Sequence, residues 1–174
     1  MIIEKWDIID ENGNRTGKTT LRGKNSFKTG EYHLVVHIWI VSHDGRILIQ
    51  RRSDEKKLMP GEWAATGGAA ISGEDSFTAA RRELFEELGI KTDETSLKKA
   101  IRIKKRNSLL DVWLTVCNTP AEELTLQESE VAEAKWVSCD ELNEMIDDGR
   151  FHNYGKEYFM QVFEKIDMFI GAVV

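Results

Sequence analysis

Apolar and polar residues alternate along the first third of the chain in a way that predicts paired β-strands. Residues 33–41 and 46–50 are the clearest such runs, and the Asp-Gly pair between them is a strong signal for a hairpin turn. Residues 6–9 alternate more weakly and lead into a turn-rich stretch. This pattern predicts a short hairpin in an N-terminal arm of about residues 1–30.

An amphipathic helix is predicted between Asp75 and Gly89, after a segment at residues 63–70 that is expected to be extended. Aspartate is a favoured N-cap residue, and glycine is favoured just past the last helical turn. Apolar residues at helical spacing form one stripe on this helix: Phe77, Ala80, Leu84 and Leu88.

The second half of the chain predicts another hairpin, one short strand and two helices. The hairpin strands are residues 100–105 and 109–117, and the short strand is residues 134–137. The first helix covers residues 140–147, with Ser138 as its cap. The C-terminal helix covers about residues 154–170, with Tyr158, Val162 and Ile166 facing inward. Strands on both sides of the central helix predict an α/β fold, in which helices enclose a mixed sheet.

Composition excludes several classes of protein. The 174 residues, 41% of them hydrophobic, suffice for one domain with a substantial core, so residues 1–174 are expected to form a single domain. The longest apolar run, residues 34–41, is too short to span a membrane, and the N-terminus does not resemble a secretory signal. Cytoplasmic residence is therefore the expectation. A net charge of −6 argues against general binding of nucleic acid.

Three acidic residues on the central helix, Glu83, Glu86 and Glu87, are the main candidate for chemistry. They are three and four residues apart, which predicts a shared helical face. Like charges at this spacing destabilise a helix by roughly 0.2–0.5 kcal/mol per pair, which a bound cation would offset. Carboxylates suit Mg²⁺ or Mn²⁺. The alternative from the residues alone is a solvated acidic face.

Residues around this helix resemble the signature of the Nudix hydrolases. The matching positions lie between residues 68 and 90: Gly68, Glu74, Arg82-Glu83-Leu84, Glu86-Glu87 and Gly89-Ile90. The resemblance implies an α/β/α sandwich with a mixed sheet. It also implies an enzyme that cleaves a pyrophosphate bond in a nucleoside diphosphate derivative or related small-molecule diphosphate, with Mg²⁺ or Mn²⁺ as cofactor.

Candidate roles follow for residues in and near this segment. Glu83 and Glu87 are the expected principal metal ligands, and Glu86 supports the metal or orients water. Arg82 can pair with Glu86 one turn later, and Gly67 can offer a backbone carbonyl to the metal. The resemblance assigns Glu74 mainly to the structure of the loop and helix.

A general base is expected outside the signature, on a loop after the next strands. Glu128 and Glu130 are the candidates, and of these Glu130 is preferred. Solvent-exposed loop acids are the alternative for both residues. Homodimers are frequent in the family, and Phe159, Met160 and Met168 on the C-terminal helix are interpreted as core or dimer-contact residues.

Further segments resemble the branch of the family related to isopentenyl-diphosphate isomerase. They are Arg51-Arg52-Ser53 and Met59-Pro60-Gly61-Glu62-Trp63. Those isomerases need a catalytic cysteine and a metal-binding histidine just after the second segment, and residues 63–70 contain neither. An isomerase-like enzyme is therefore kept only as an alternative to a hydrolase. A non-catalytic nucleotide-metabolite sensor is the other alternative.

Residues for substrate recognition are less sharply defined. Arg51 and Arg52 can hold a phosphate, with surface ion pairs as the alternative. Three tryptophans near strands can stack a base, but core packing is the preferred interpretation: Trp39, Trp63 and Trp113. His33 and His37 are interpreted as structural residues whose hydrogen bonds are satisfied.

Overall fold

The structure is a computed structural model that describes residues 4–24 and 27–173. The strands are β1 (Lys5–Ile9), β2 (Arg15–Leu21), β3 (His33–Val41), β4 (Ile47–Arg52), β5 (Trp63–Ala64), β6 (Thr66–Ala69), β7 (Lys98–Lys104), β8 (Ser108–Val116) and β9 (Val131–Val137). The helices are α1 (Ser76–Leu88), α2 (Cys139–Asp147) and α3 (Lys156–Val173), with a 3₁₀ turn at Ala121–Glu123. None of the described helices combines the length and apolarity needed to cross a membrane.

Seven strands form one mixed sheet whose spine runs in the order β5-β4-β3-β8-β7, with β6 beside β3 and β9 beside β4. Strands β3 and β8 are parallel along their whole length, and the other pairs are antiparallel. Only the last two residues of β3, Ile40 and Val41, pair with β4. Because β3 and β4 separate beyond that point, β5 and β6 fit into the opening. The segment that leads into α1 thus lies in the split of the sheet.

Successive residues of β3 belong to different cores because side chains alternate across a strand. Val36, Ile38 and Ile40 pack with Leu84 and Leu88 of α1. The adjacent positions on the opposite face pack with α2 and α3, through residues such as Trp39, Val41, Leu142, Tyr158 and Val162. Both faces of the sheet are therefore covered by helices, which confirms the predicted α/β/α sandwich.

Helix α1 has the predicted boundaries. The Asp75 carboxylate accepts a hydrogen bond from the Thr78 N–H, and Gly89 ends the helix with a φ of 69°. The C-terminal helix was predicted to begin at residue 154, which is wrong. Gly155 has a φ of 97°, in the left-handed region, so the helix begins at Lys156. The strand predicted at 134–137 is longer, because β9 begins pairing with β4 at Val131.

The predicted N-terminal hairpin forms from β1 and β2 and contacts the loop that precedes α1. Asp7 accepts hydrogen bonds from the Ser72 hydroxyl at 2.6 Å and the Gly73 N–H at 2.9 Å. The Arg15 guanidinium donates to the Glu74 carbonyl at 3.0 Å. The hairpin therefore fixes the start of the signature segment. Residues 1–3 and 25–26 of the predicted arm lie outside the described residues.

A buried carboxylate fastens β7 to β8. Asp111 is 0% exposed and accepts hydrogen bonds from Arg102 at 2.6 and 2.7 Å and from Lys99 at 2.7 Å. Burial by itself would raise the pKa of Asp111, but hydrogen bonds from Arg102 and Lys99 outweigh burial and lower it. The carboxylate is therefore ionised and matched by cations at neutral pH.

We expect Asp111→Asn to lower the free energy of unfolding by about 2 kcal/mol at neutral pH, because the charged partner of two cations is lost. Since the folded-state pKa of Asp111 is lowered, its contribution is present above the unfolded pKa and is lost as the pH falls through the folded pKa. Urea unfolding at several pH values measures both effects. Glu122→Gln, at an exposed position, is the control. Equal stability of Asp111→Asn and wild type at neutral pH would contradict the expectation.

Candidate active site

Glu87 is a carboxylate buried beneath the split of the sheet, with a residue exposure of 4%. One of its oxygens accepts hydrogen bonds from the Gln50 side-chain amide at 2.9 Å and from the Gly67 N–H at 3.3 Å. Gln50 lies on β4 and Gly67 on β6, so both sides of the split meet at this carboxylate. These two hydrogen bonds hold the Glu87 carboxylate against the main chain of β6.

Glu83 lies one turn earlier on α1 and contacts Gly68. A Cβ atom on Gly68 would be 2.2 Å from one Glu83 carboxylate oxygen and 2.6 Å from its carboxyl carbon. Glycine at this position therefore leaves the space that the Glu83 carboxylate occupies. The Glu83 side chain is 12% exposed and accepts a hydrogen bond from Arg82 at 2.9 Å.

The two buried carboxylates have raised pKa values. Burial raises the pKa of Glu83 to about 7, against the opposing charge and hydrogen bond of Arg82. Burial and the charge of Glu83 raise the pKa of Glu87 to about 8, against the hydrogen bonds from Gln50 and Gly67. Both carboxylates consequently hold negative charge near neutral pH only at a cost in free energy, which a cation at this position would lower.

Glu86 lies at the exposed edge of the helical face that carries Glu83 and Glu87, so the three glutamates differ in their exposure. Successive helical residues are rotated by about 100°, which puts Glu83 and Glu87 about 40° apart and Glu86 about 100° from Glu87. The Glu86 side chain is 47% exposed and accepts a hydrogen bond from Arg82 at 3.0 Å, as predicted for the Arg82–Glu86 pair.

Arg82 ties α1 to the loop before it. Its guanidinium donates to both carboxylate oxygens of Glu74, at 2.7 and 3.0 Å, and to the Ala69 carbonyl at 3.1 Å. Glu74 also accepts the Ile71 N–H at 3.0 Å, so it closes the loop. Burial opposes the charge of Arg82, yet these acidic partners raise its pKa above the ordinary value. Arg82 is therefore a fixed cation among acids.

The two candidate loop bases have different surroundings. Glu128 is exposed, whereas Glu130 is half-buried and forms an ion pair with Lys56. After burial and the charge of Glu83, the charge of Glu130 also raises the pKa of Glu87. The Gln127 N–H donates to the Glu87 carbonyl at 3.2 Å, which joins this loop to the end of α1. Of the two loop acids, Glu130 is thus the one whose charge reaches Glu87.

Arg51 and Arg52 lie at the end of β4 with protein partners. Arg51 pairs with Asp54 at 3.3 Å and Glu133 at 3.6 Å, and Arg52 donates to the Leu58 carbonyl at 3.1 Å. These contacts fit the ion-pair alternative, although both side chains remain near the split.

The tryptophans and histidines of the strands have mainly structural surroundings. Trp39 and Trp113 are buried, as predicted, and Trp63 is partly buried beneath Lys135, whose ammonium lies 4.9 Å from the ring centroid. The His37 Nδ1 lies 2.8 Å from the Tyr158 hydroxyl. His33 differs from expectation, because its buried Nδ1 has no hydrogen-bond partner within the described chain; the ring stacks on Trp6 instead.

Gln50 was missed as a site residue by the sequence interpretation. It is 1% exposed, and its carbonyl oxygen has no hydrogen-bond partner among the described residues, while its amide nitrogen holds Glu87. The available signal was a glutamine in the otherwise apolar strand Ile47-Leu48-Ile49-Gln50. A buried polar side chain in such a run needs a partner, and here the partner comes from α1.

The donor set fits a divalent cation of the magnesium type. Glu83 and Glu87 supply oxygen ligands whose raised pKa values mark uncompensated negative charge, and the Gln50 carbonyl oxygen lies unpaired beside them. Among residues 4–24 and 27–173, no group of three or more His, Cys, Asp or Glu side chains is placed to hold a metal ion by itself. The remaining ligands would therefore come from main chain, water or substrate, as is usual for Mg²⁺.

A cavity of about 620 Å³ lies away from these carboxylates, between the N-terminal hairpin and the start of α1. Its principal charged residues are already paired, Asp7 with Arg15 and Arg102 with Asp111. A second cavity of about 280 Å³ lies on the opposite face of the sheet and includes His37 in its lining.

We expect Glu83 and Glu87 to destabilise the metal-free protein as the pH rises. Their folded-state pKa values exceed the value of about 4.3 for unfolded Glu, so this pair binds more protons in the folded state across the window from about pH 4 to pH 8. The contribution of the pair to the free energy of unfolding falls as the pH rises through that window, whereas the lowered pKa values of the buried His33 and His37 act in the opposite direction below about pH 6.5. Between about pH 5 and pH 8 the free energy of unfolding of Glu87→Gln should therefore rise relative to that of wild type by about 2 kcal/mol. Urea unfolding of both proteins with and without Mg²⁺ measures the difference, and an equal pH dependence of the two metal-free proteins would contradict the expectation.

Gly68→Ala should abolish most activity while changing stability little, because the new methyl group occupies the position of the Glu83 carboxylate. The expected loss in kcat is about 100-fold, with a change of about 1 kcal/mol in the free energy of unfolding. Gly171→Ala is the matched control, since nothing lies within 4 Å of its added Cβ. Retention of full activity by Gly68→Ala would show that Glu83 does not need its present position.

Comparisons with known proteins show the family to which the chain belongs. The NUDIX domain family matches residues 31–157. An uncharacterized Nudix hydrolase of Listeria monocytogenes is 37% identical over 153 residues, which cover 87% of this chain and 90% of that protein. An isopentenyl-diphosphate Delta-isomerase of Pectobacterium atrosepticum is 26% identical over 144 residues, covering 79% and 78%. Relation to the isomerase branch is thus weakly supported.

A solved structure supports the fold. A Deinococcus radiodurans protein superposes with a TM-score of 0.71 and 24% identity, covering 84% of this chain and 90% of that one. The family match extends over most of the chain and contains both buried glutamates, both glycines and the Arg82 contacts. The chain therefore belongs to the Nudix hydrolase family, whose enzymes act on pyrophosphate bonds.

Proposed function

We propose that this protein is a Mg²⁺-dependent hydrolase that cleaves the pyrophosphate bond of a nucleoside diphosphate derivative or a related phosphoanhydride. The observation that carries the proposal is the buried pair Glu83 and Glu87, held against Gly67 and Gly68 with raised pKa values. These two neighbouring carboxylates under a glycine-rich strand are proposed to hold a cation that contacts the phosphate oxygens of the substrate.

Glu83 and Glu87 are the proposed principal ligands of Mg²⁺, with Mn²⁺ as a substitute. The Gly67 carbonyl and Glu86 are proposed as supporting ligands, Glu86 through water because its side chain is exposed. When bound, the cation supplies charge neutralisation at the diphosphate. Arg82 acts as a positioning residue, since it holds Glu83, Glu86 and the preceding loop in one arrangement.

Hydrolysis needs little covalent chemistry from the protein. A water oxygen bonds to one phosphorus, the bond from that phosphorus to the bridging oxygen breaks, and the leaving phosphate takes the electron pair. We assign Glu130 as the group that accepts the water proton, because it is the loop acid whose charge reaches Glu87. Its ion pair with Lys56 must open for this role. Arg51 and Arg52 are proposed to contact substrate phosphate after exchange of their present partners.

The two alternatives have less support. An isomerase needs cysteine and histidine groups after Trp63, where Ala64, Ala65 and Thr66 are buried instead. A non-catalytic sensor does not need a complete set of signature carboxylates, and this chain has all of them. The hydrolase accounts for both observations.

The proposal predicts Mg²⁺-dependent turnover of one substrate class in a panel of ADP-ribose, dinucleoside polyphosphates, nucleotide sugars, nucleoside triphosphates and isoprenoid diphosphates. Products are separated by chromatography. Glu87→Gln should lower kcat by about 1,000-fold, because a metal ligand is lost, and Glu130→Gln by about 100-fold, because the group that accepts the water proton is lost. Glu144→Gln, at an exposed position on α2, is the control.

Two results would contradict the proposal. Tight binding of a panel member without turnover would favour the sensor, and conversion of isopentenyl diphosphate without release of phosphate would favour the isomerase. Unchanged turnover in Glu87→Gln would separate the activity from the buried carboxylates.

A further inference from the structure

The cavity of about 280 Å³ lies on the α3 face of the sheet, and none of its lining residues has a role in the proposed hydrolysis. Its floor is β3 and β8, its outer end is the turn between β7 and β8, and its wall is the start of α3. Its lining includes His37, Lys105, Ser108, Tyr154 and Tyr158. No carboxylate is among its lining residues.

The hydrogen bonds around Tyr158 fix the proton on His37. The Trp39 indole N–H donates to the Tyr158 oxygen at 2.9 Å, and the His37 Nδ1 lies 2.8 Å from the same oxygen. Tyrosine has one hydroxyl proton, and its only further partner in the described chain is the His37 Nδ1. The hydroxyl therefore donates to Nδ1, which leaves the single proton of a neutral imidazole on Nε2. The Nε2–H has no protein acceptor among the described residues, although His37 is only partly exposed.

This donor lies beside the catalytic carboxylates. His37 pairs with Gly67 across β3 and β6, and the His37 Cδ2, the ring neighbour of Nε2, would be 3.1 Å from a Cβ atom on Gly67. The N–H of the same glycine donates to Glu87. Gly67 thus lies between the cavity and the proposed metal site and contacts a residue of each.

Size and charge restrict that ligand. A volume of about 280 Å³ is just below the roughly 300–1,000 Å³ of pockets that hold drug-sized ligands, which leaves space for one ring rather than a fused pair with its sugar. The Lys105 ammonium lies 5.7 Å from the Tyr158 ring centroid, at the outer end of the cavity. His152, also in the lining, is paired with Glu62 at 2.7 Å. Two donors therefore face a ligand in this cavity, the His37 Nε2–H and the positively charged Lys105 ammonium.

We propose that this cavity binds the head group of the diphosphate substrate, and that the head group is a single oxygen-rich ring without positive charge. One ring oxygen or hydroxyl oxygen accepts the His37 Nε2–H, and a more distant oxygen contacts Lys105. Cationic head groups are excluded by Lys105. The inference rests on the proposed function for the diphosphate itself, while binding of the head group requires no turnover.

Ribose 5-phosphate and phosphocholine test this assignment directly. Both carry one phosphate monoester and no pyrophosphate bond, but one has an oxygen-rich ring and the other a cation. Titrated into the wild-type protein with Mg²⁺, ribose 5-phosphate should bind with a Kd on the order of 1 mM and phosphocholine about tenfold more weakly. His37→Phe should weaken ribose 5-phosphate binding about tenfold, because the donor is removed.

Two further variants keep the test decisive. Lys105 is exposed, so Lys105→Ala should fold normally and should reduce the preference for ribose 5-phosphate over phosphocholine; Lys98→Ala, also exposed, should leave it unchanged. Nitrogen NMR of the histidines should show a protonated Nε2 and an unprotonated Nδ1 for His37, and Tyr158→Phe should alter that ratio.

Equal affinity for the two probes overturns the inference, as does undetectable ribose 5-phosphate binding or unchanged binding in a folded His37→Phe. These results are independent of hydrolysis. Head-group binding without turnover of any diphosphate would reject the proposed function alone, and turnover with equal kcat/KM in wild type and His37→Phe would reject the head-group site alone.

Discussion

The close contact between α1 and β6 determines the arrangement of the active-site region. Two carboxylates one helical turn apart, Glu83 and Glu87, face two successive glycines, and each carboxylate uses a different property of the glycine opposite it. Gly68 contributes the space of a missing side chain, whereas Gly67 contributes a backbone donor. Glu83 shares the charge of Arg82 with Glu74 and Glu86, and Glu87 is hydrogen-bonded only to neutral groups in the described chain. Burial of these two carboxylates therefore costs electrostatic free energy, which the burial of apolar residues such as Leu84 and Leu88 offsets.

The surrounding elements maintain this contact from several directions. The hairpin of β1 and β2 holds Ser72 and Gly73 through Asp7, Arg82 connects the same loop to the helix, and Gln127 binds the carbonyl at the end of α1. Each attachment is made by a polar group at the margin of an apolar core. Segments that are far apart in the sequence therefore hold the site in its arrangement.

Local rules predicted much of the fold. The N-cap at Asp75, the left-handed Gly89 and the alternation of β3 are properties of a few neighbouring residues, and the structure has all three. The late start of α3 was missed because Gly155 interrupts an otherwise apolar periodicity. The exposure of Glu86 follows from helical geometry, but only after the buried direction is known. Gln50 and the pairing of His37 with Gly67 depend on the split between β3 and β4, which is a long-range property with no local pattern.

The parallel pairing of β3 and β8 has a consequence for how the protein folds. Its register joins His33 to Ser108, so 74 residues lie between the two paired positions, and this segment contains β6, α1 and both buried glutamates. Closing a loop of this length costs conformational entropy before the strands gain their contacts, which makes such pairings slow steps. During synthesis the segment that carries the chemistry therefore leaves the ribosome before its supporting strand exists. Glu83 and Glu87 gain their buried surroundings only when the centre of the sheet closes.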